Sequence, residues 1–183
     1  MIRVAALLLL WAGAAGAQGI EVEPGVVEDL EVGIFCTEDT GKQTPAPRSV
    51  AGHSNTVVNV EHRAETLVVP IAPDLTFGFR ARFLGDAPGA TFRITHPPFR
   101  GTGATEQLYD KRIVAGGEQT GLYAFDEPYE MVAGLWRMEV LSGDRLLLAV
   151  SFRTVPATLA PDLTGLCAGE PAISGLPGGP AAG

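Results

Sequence analysis

Histidines, acidic side chains and cysteines are the residues whose types and spacing decide what chemistry this 183-residue chain can do. His53, His62 and His96 stand apart from one another, and no His-x-His, His-Glu-x-x-His or Cys-x-x-Cys pattern predicts a metal site. No serine lies in a Gly-x-Ser-x-Gly elbow of the kind that serine hydrolases use. The sequence therefore predicts no catalytic residue, no metal ligand and no cofactor.

One histidine and one acidic segment are the best candidates for contact with a ligand or partner. His96 precedes a pair of prolines, and proline holds the preceding residue extended, which fixes the direction of the imidazole. The acidic segment comes later and contains Asp126, Glu127, Tyr129 and Glu130. The plainer interpretation is a surface histidine at a strand end and a solvated loop, and both interpretations stay open at this point.

The two cysteines, Cys36 and Cys167, are far apart in the chain. An even pair in an exported protein is most simply a structural disulfide, whereas a redox pair would have a close spacing. We therefore predict one disulfide that closes nearly the whole mature domain.

The first 17 residues have the three parts of an export signal. Arg3 precedes an apolar run over residues 4–11, and Ala-Gly-Ala at residues 15–17 is typical of a cleavage site. The apolar run is shorter than the roughly 20 residues that a membrane anchor needs. We predict a signal peptide over residues 1–17 and a periplasmic or secreted mature protein without a membrane span.

Composition favours an acidic β protein. The 23 glycines and 14 prolines predict many turns and few long helices. The formal net charge of −8 would repel a phosphate backbone, which excludes nucleic acid as a partner. Alternation of apolar residues then predicts strands, of which the clearest have Phe77, Phe79, Ala81 and Phe83, or Trp136, Met138 and Val140, on one face.

Hairpins are predicted where two such runs follow each other. We expect residues 77–83 to pair with 91–95, and 107–114 to pair with 120–125. The last hairpin has Leu146, Leu148, Val150 and Phe152 on the second strand, and parity predicts a three-residue loop that pairs Val140 with Leu146. Residues 37–55 show no period and are expected to form a long exposed loop.

Short motifs connect the chain with a known family. It resembles the DUF3859 family of uncharacterised bacterial exported proteins over about residues 29–167. The motifs are EVGIFC at 31–36, THPP at 95–98, FDEPYE at 125–130, GLWRME at 134–139 and PDLTGLC at 161–167. The resemblance supports the domain limits and the paired cysteines, and it implies no catalytic or ligand-binding residue.

The sequence thus predicts an all-β, immunoglobulin-like two-sheet antiparallel sandwich of seven to nine strands, favoured over a small barrel. Residues 18–28 would be a loose lead-in, residues 29–167 the sandwich, and residues 168–183 a disordered tail. The expected role is that of a monomeric, non-catalytic protein that binds a protein or envelope component through loops 37–55 and 126–134. The alternative is a small-ligand or metal-binding protein, or an envelope hydrolase, that uses His96 with the acidic segment.

Overall fold

A computed structural model describes residues 19–73 and 75–167, and within them ten strands form two packed sheets. The predicted signal peptide and the predicted disordered tail lie outside the described residues. The strands are β1 (Gly19–Val22), β2 (Val27–Pro45), β3 (His53–Glu65), β4 (Val68–Ile71), β5 (Thr76–Phe83), β6 (Ala87–Thr95), β7 (Glu106–Ile113), β8 (Glu118–Ala124), β9 (Gly134–Ser142) and β10 (Arg145–Pro156). The helical segments are two single 3-10 turns, Pro128–Glu130 and Ala157–Leu159, and the short helix α1 (Pro161–Thr164).

The two sheets have six and four strands. The larger sheet has the order β1-β10-β9-β6-β7, with β4 beside the end of β10, and the smaller has the order β3-β2-β5-β8. Neighbouring strands are antiparallel except β4 and β10, which are parallel. The two-sheet sandwich is confirmed, with one strand more than the predicted maximum of nine because the expected lead-in contains β1.

The core lies between the sheets and is rich in aromatic rings. The predicted inward faces of β5 and β9 are confirmed, since all their apolar side chains are buried. Trp136 is fully buried, and its ring lies 5.6 Å from that of Phe77 and 5.0 Å from that of Tyr123, measured between centroids. Such aromatic contacts across a sandwich stabilise the packing of one sheet on the other.

Two predicted hairpins are wrong, although their strands exist. β5 pairs with β2 and β8, whereas β6 pairs with β7 and β9, so the turn after β5 crosses from one sheet to the other. The turn between β7 and β8 also crosses, because β8 pairs with β5. Phe79 and Phe92 accordingly meet across the core at 5.8 Å rather than side by side.

The β9–β10 hairpin exists, but its predicted register is wrong by two residues. Ser142 pairs with Arg145 across a two-residue turn, and Gly143 adopts a positive φ of 60°, as tight hairpin turns require. A bulge between Leu146 and Leu148 then shifts the pairing, so that Leu148 lies opposite Val140. The alternation of inward side chains on the two strands does require one extra residue in the hairpin. That residue lies in a bulge of β10 and not in the turn.

Residues 37–55, predicted to be a loop, belong to a long two-stranded extension. β2 continues beyond its partner β5 and pairs there with β3, for example Asp39 with Val57 and Gln43 with Asn55. We call residues 37–57 the arm. Its side chains are mostly polar, so the apolar alternation that marks a half-buried strand is missing from its sequence.

The predicted disulfide between Cys36 and Cys167 is present, with the two Cα atoms 5.3 Å apart. It joins β2, at the base of the arm, to the segment that follows α1. Leu163 and Leu166 pack against the core beside it. In the part of the chain that the structure describes, no helix is long and apolar enough to cross a membrane.

Candidate functional site

The arm bends from the smaller sheet towards β7, the edge strand of the larger sheet. At its tip, the carbonyl oxygen of Arg48 accepts a hydrogen bond of 3.1 Å from the backbone N–H of Leu108. The backbone N–H of Val50 donates to the Gln107 side chain over 3.3 Å, and the Arg48 guanidinium forms an ion pair with Asp110. These contacts hold the tip of the arm against β7.

The arm also contacts the acidic segment between β8 and β9. The side-chain amide of Asn55 donates a hydrogen bond of 3.0 Å to the carboxylate of Asp126. The arm, β7, β8 and the acidic segment thereby surround a cleft with a volume of about 1090 Å³. Asp126, Glu127, Tyr129 and Glu130, all predicted as candidates, lie along this cleft.

Hydrogen bonds join the arm tip to β7 and β8 beside the cleft. The Gln107 side chain accepts from the backbone of Val50 and donates 3.1 Å to the Tyr123 hydroxyl. The Tyr123 hydroxyl in turn interacts electrostatically with the carboxylate of Glu130. The arm tip is thus connected to the acidic segment through β7 and β8.

Glu130 has a structural task within its own segment. Its carboxylate accepts the backbone N–H groups of Asp126 and Glu127, each at 3.2 Å, and thereby closes the 3-10 turn Pro128–Glu130. The side chain is buried, and this burial raises the pKa of Glu130 above its usual range. Burial likewise raises the pKa of the Tyr109 hydroxyl to about 12 and raises the pKa of Tyr123.

Carboxylates outnumber cations along the cleft. The acidic side chains are Asp39, Asp110, Asp126, Glu127 and Glu130, and the basic ones are Arg48 and Lys111. Arg48 is already paired with Asp110, and burial lowers the pKa of Lys111. The cleft is therefore suited to a ligand with positive charge.

His96 lies in the core rather than on the cleft wall. It is 4% exposed, and its ring stacks on that of Phe99 with the centroids 3.7 Å apart. Its Nδ1 donates 2.8 Å to the carbonyl of Pro97, while Nε2 has no hydrogen-bond partner among the described residues. Burial lowers the pKa of His96, so the neutral imidazole is favoured. The plainer expectation of a surface histidine is wrong.

The structure brings the acidic segment together but does not add His96 to it. The ring of Phe99 stacks on that of His96 and lies 5.6 Å from the ring of Tyr129. Sequence reasoning missed Gln107 and Tyr109, which lie on a strand of mixed periodicity, and it missed the cleft-facing side chains of the arm. Among the described residues, no group of three or more histidines, cysteines and acidic residues is placed to hold a metal ion.

Comparison with known proteins supports the fold and the family. A crystal structure of an immunoglobulin-like protein (PA1606) from Pseudomonas aeruginosa is similar to this chain, with a TM-score of 0.51 and 24% sequence identity. The match covers 78% of this chain and 100% of that protein, which confirms the immunoglobulin-like architecture. None of the curated proteins matches the chain. The model of a domain of unknown function, DUF3859, matches residues 24–154. The chain therefore belongs to the DUF3859 family.

Proposed function

We propose that this protein is an exported, non-catalytic binding protein that holds a protein or an envelope component in the cleft beneath the arm. One observation carries the proposal. The two segments that the sequence marks as binding loops, residues 37–55 and 126–134, lie on the walls of one cleft of about 1090 Å³. Separate segments of the chain that converge on one concavity are typical of binding sites built on a sandwich scaffold.

The size and lining of the cleft favour binding over catalysis. Small-molecule pockets have volumes of roughly 300 to 1,000 Å³, so this cleft has room for a ligand at or above that range. The acidic residue that is most buried, Glu130, uses its carboxylate to accept backbone N–H groups. The imidazole of His96 donates to the carbonyl of Pro97, and neither residue is arranged as a general acid or base for a substrate in the cleft.

Export is part of the same proposal. The N-terminal pattern of a basic residue, an apolar run and a small-residue cleavage site supports secretion. The disulfide between Cys36 and Cys167 is of the kind that persists in an oxidising compartment. A protein placed there would meet its partner in the periplasm or outside the cell.

Site-directed photo-crosslinking in cells that export the protein tests this function. A crosslinking amino acid at Leu122, which lines the cleft, is compared with one at Leu84, which is 46% exposed and lies outside it. We expect a discrete adduct from position 122 that is absent at position 84 and is lost when Ala124→Trp fills the cleft. Mass spectrometry identifies the adduct. The same neighbours at both positions, or an adduct that survives Ala124→Trp in folded protein, would contradict the proposal.

A further inference from the structure

One strand edge faces the cleft without a partner. In the part of the chain that the structure describes, β8 pairs only with β5. The pairing runs from Ala124 opposite Thr76 to Glu118 opposite Arg82. Because backbone groups of an antiparallel strand alternate in direction, about half of those on β8 point away from β5. Thr120, Leu122 and Ala124 line the cleft along this strand. The β8 edge is therefore open to a further strand.

This edge lacks the usual protection against strand pairing. Edge strands commonly carry charges, prolines or bulges, or are covered by another part of the chain. The arm tip covers β7 in this way, since Leu108 donates to Arg48. Residues 120–124 read Thr-Gly-Leu-Tyr-Ala, without charge or proline, and their pairing with β5 has no bulge. The β8 edge is therefore available for pairing within the cleft.

The arm provides another wall of the cleft, and its side chains there are mostly polar. Along β3, His53, Ser54, Asn55 and Val57 line the cleft and are partly buried, whereas Thr56 is exposed. Asp39 and Gln43 on β2 line the same wall. A mostly polar wall formed by two extended strands is suited to contact the side chains of an extended ligand that lies along it.

Charge indicates which side chains such a ligand carries. Asp39 on the arm and Asp126 in the acidic segment both line the cleft, and Glu127 is beside Asp126, while Arg48 is paired with Asp110. A lysine or arginine on the ligand would meet these carboxylates, whereas an acidic ligand would be repelled. Backbone pairing along β8 and side-chain pairing with these acids act on the same extended ligand.

From these observations we infer that the cleft binds an extended peptide segment rich in lysine or arginine, which adds to the β8 edge as a fifth strand of the smaller sheet. The inference rests on the proposed function and specifies its ligand. β8 has seven residues, so a segment of about seven residues, roughly 23 Å long, would pair along its whole length.

Peptide binding to the purified protein tests the inference. The probe is a peptide of about ten residues with alternating lysine and valine, and saturable binding is measured by titration calorimetry. We expect at least about tenfold weaker binding when glutamate replaces lysine. We expect a similar loss, of about tenfold or more, when alternate backbone nitrogens are methylated, because strand pairing then loses its N–H donors.

Matched protein variants locate the binding site. The double variant Asp126→Asn with Glu127→Gln should weaken binding of the lysine peptide by about tenfold. The control double variant, Asp144→Asn with Asp162→Asn, makes the same charge change outside the cleft and should change the affinity by less than about twofold. Equal binding of the methylated and unmethylated peptides, equal effects of the two double variants, or no binding of the lysine peptide would overturn the inference. An adduct at Leu122 that is not a peptide would overturn this inference and leave the proposed function standing.

Discussion

At the residue scale, His96 and Glu130 are two buried titratable side chains whose pKa values are shifted in opposite directions. Burial lowers the pKa of His96 and raises the pKa of Glu130, so burial opposes the charged form of each side chain. The consequences for stability have opposite signs. Protonation of His96 in acid opposes folding, whereas protonation of Glu130 in acid favours it. Substitution of each residue separates the two effects.

We predict that His96→Phe makes stability less sensitive to acid. An unfolded histidine titrates near 6.5, and the pKa of folded His96 lies below that value. The stability contributed by the neutral imidazole is therefore present above about pH 6.5 and is lost as the pH falls through the lower, folded-state pKa. Between about pH 7 and pH 5, the free energy of unfolding measured with urea should fall less for His96→Phe than for the wild type. Parallel losses in both proteins would contradict this role of His96.

Glu130→Ala should destabilise the protein by about 1 to 3 kcal/mol, because two backbone N–H groups lose their acceptor. Glu130→Gln is the matched control, since an amide oxygen can still accept from the backbone. The control also removes the cost of the buried charge, which grows as the pH rises through the folded-state pKa. The free energy of unfolding, measured by urea denaturation at neutral pH, should fall for Ala and be retained or rise for Gln.

At the element scale, apolar alternation identified which residues point into the core but not which sheet each strand joins. β5 and β6 both direct phenylalanines into one shared core. Their sequences therefore fit two connections equally well, a hairpin within one sheet and a turn that crosses between the sheets. The bulge of β10 could not be predicted, because a three-residue turn satisfies the same parity. The arm could not be predicted either, because its partner contacts are polar and lie at the distant β7.

Gly78 provides a prediction at this scale, because β5 approaches β8 too closely there for a side chain. Its φ is 150°, and a Cβ atom would overlap the carbonyl of Gly121 on β8. We expect Gly78→Ala to destabilise the sandwich by about 3 kcal/mol or more, through overlap and backbone strain. Gly89→Ala is the control, since nothing lies within 4 Å of its added carbon, and it should change stability by less than about 1 kcal/mol. Thermal unfolding of both variants checks the difference, and similar melting temperatures would contradict the close approach.

At the scale of the whole molecule, the disulfide links residues 131 positions apart and so restricts nearly the entire unfolded chain. Cys36→Ser should lower the free energy of unfolding by about 2 to 5 kcal/mol. Denaturation of the variant beside the oxidised wild type measures this loss. A thiol assay that finds two free thiols in the folded, exported wild type would contradict the pairing.

The sandwich and the disulfide could be predicted from the sequence, whereas the cleft could not. Its acidic wall is visible as the run that begins at Asp126, and Tyr123 stands out in an aromatic-rich region. The opposite wall belongs to the arm, which reaches the acidic segment only through the fold, as the contact between Asn55 and Asp126 shows. Contacts between polar residues so far apart leave no periodic trace in a single sequence.

Pairing of a ligand strand with the β8 edge is measured most directly by amide hydrogen exchange of the whole protein. With the lysine–valine peptide bound, exchange should slow at residues 120–124 of β8. It should stay unchanged in β1 (Gly19–Val22), which among the described residues pairs only with β10 and is therefore another sheet edge. Unchanged exchange in β8, or equal protection of β1 and β8, would contradict the account.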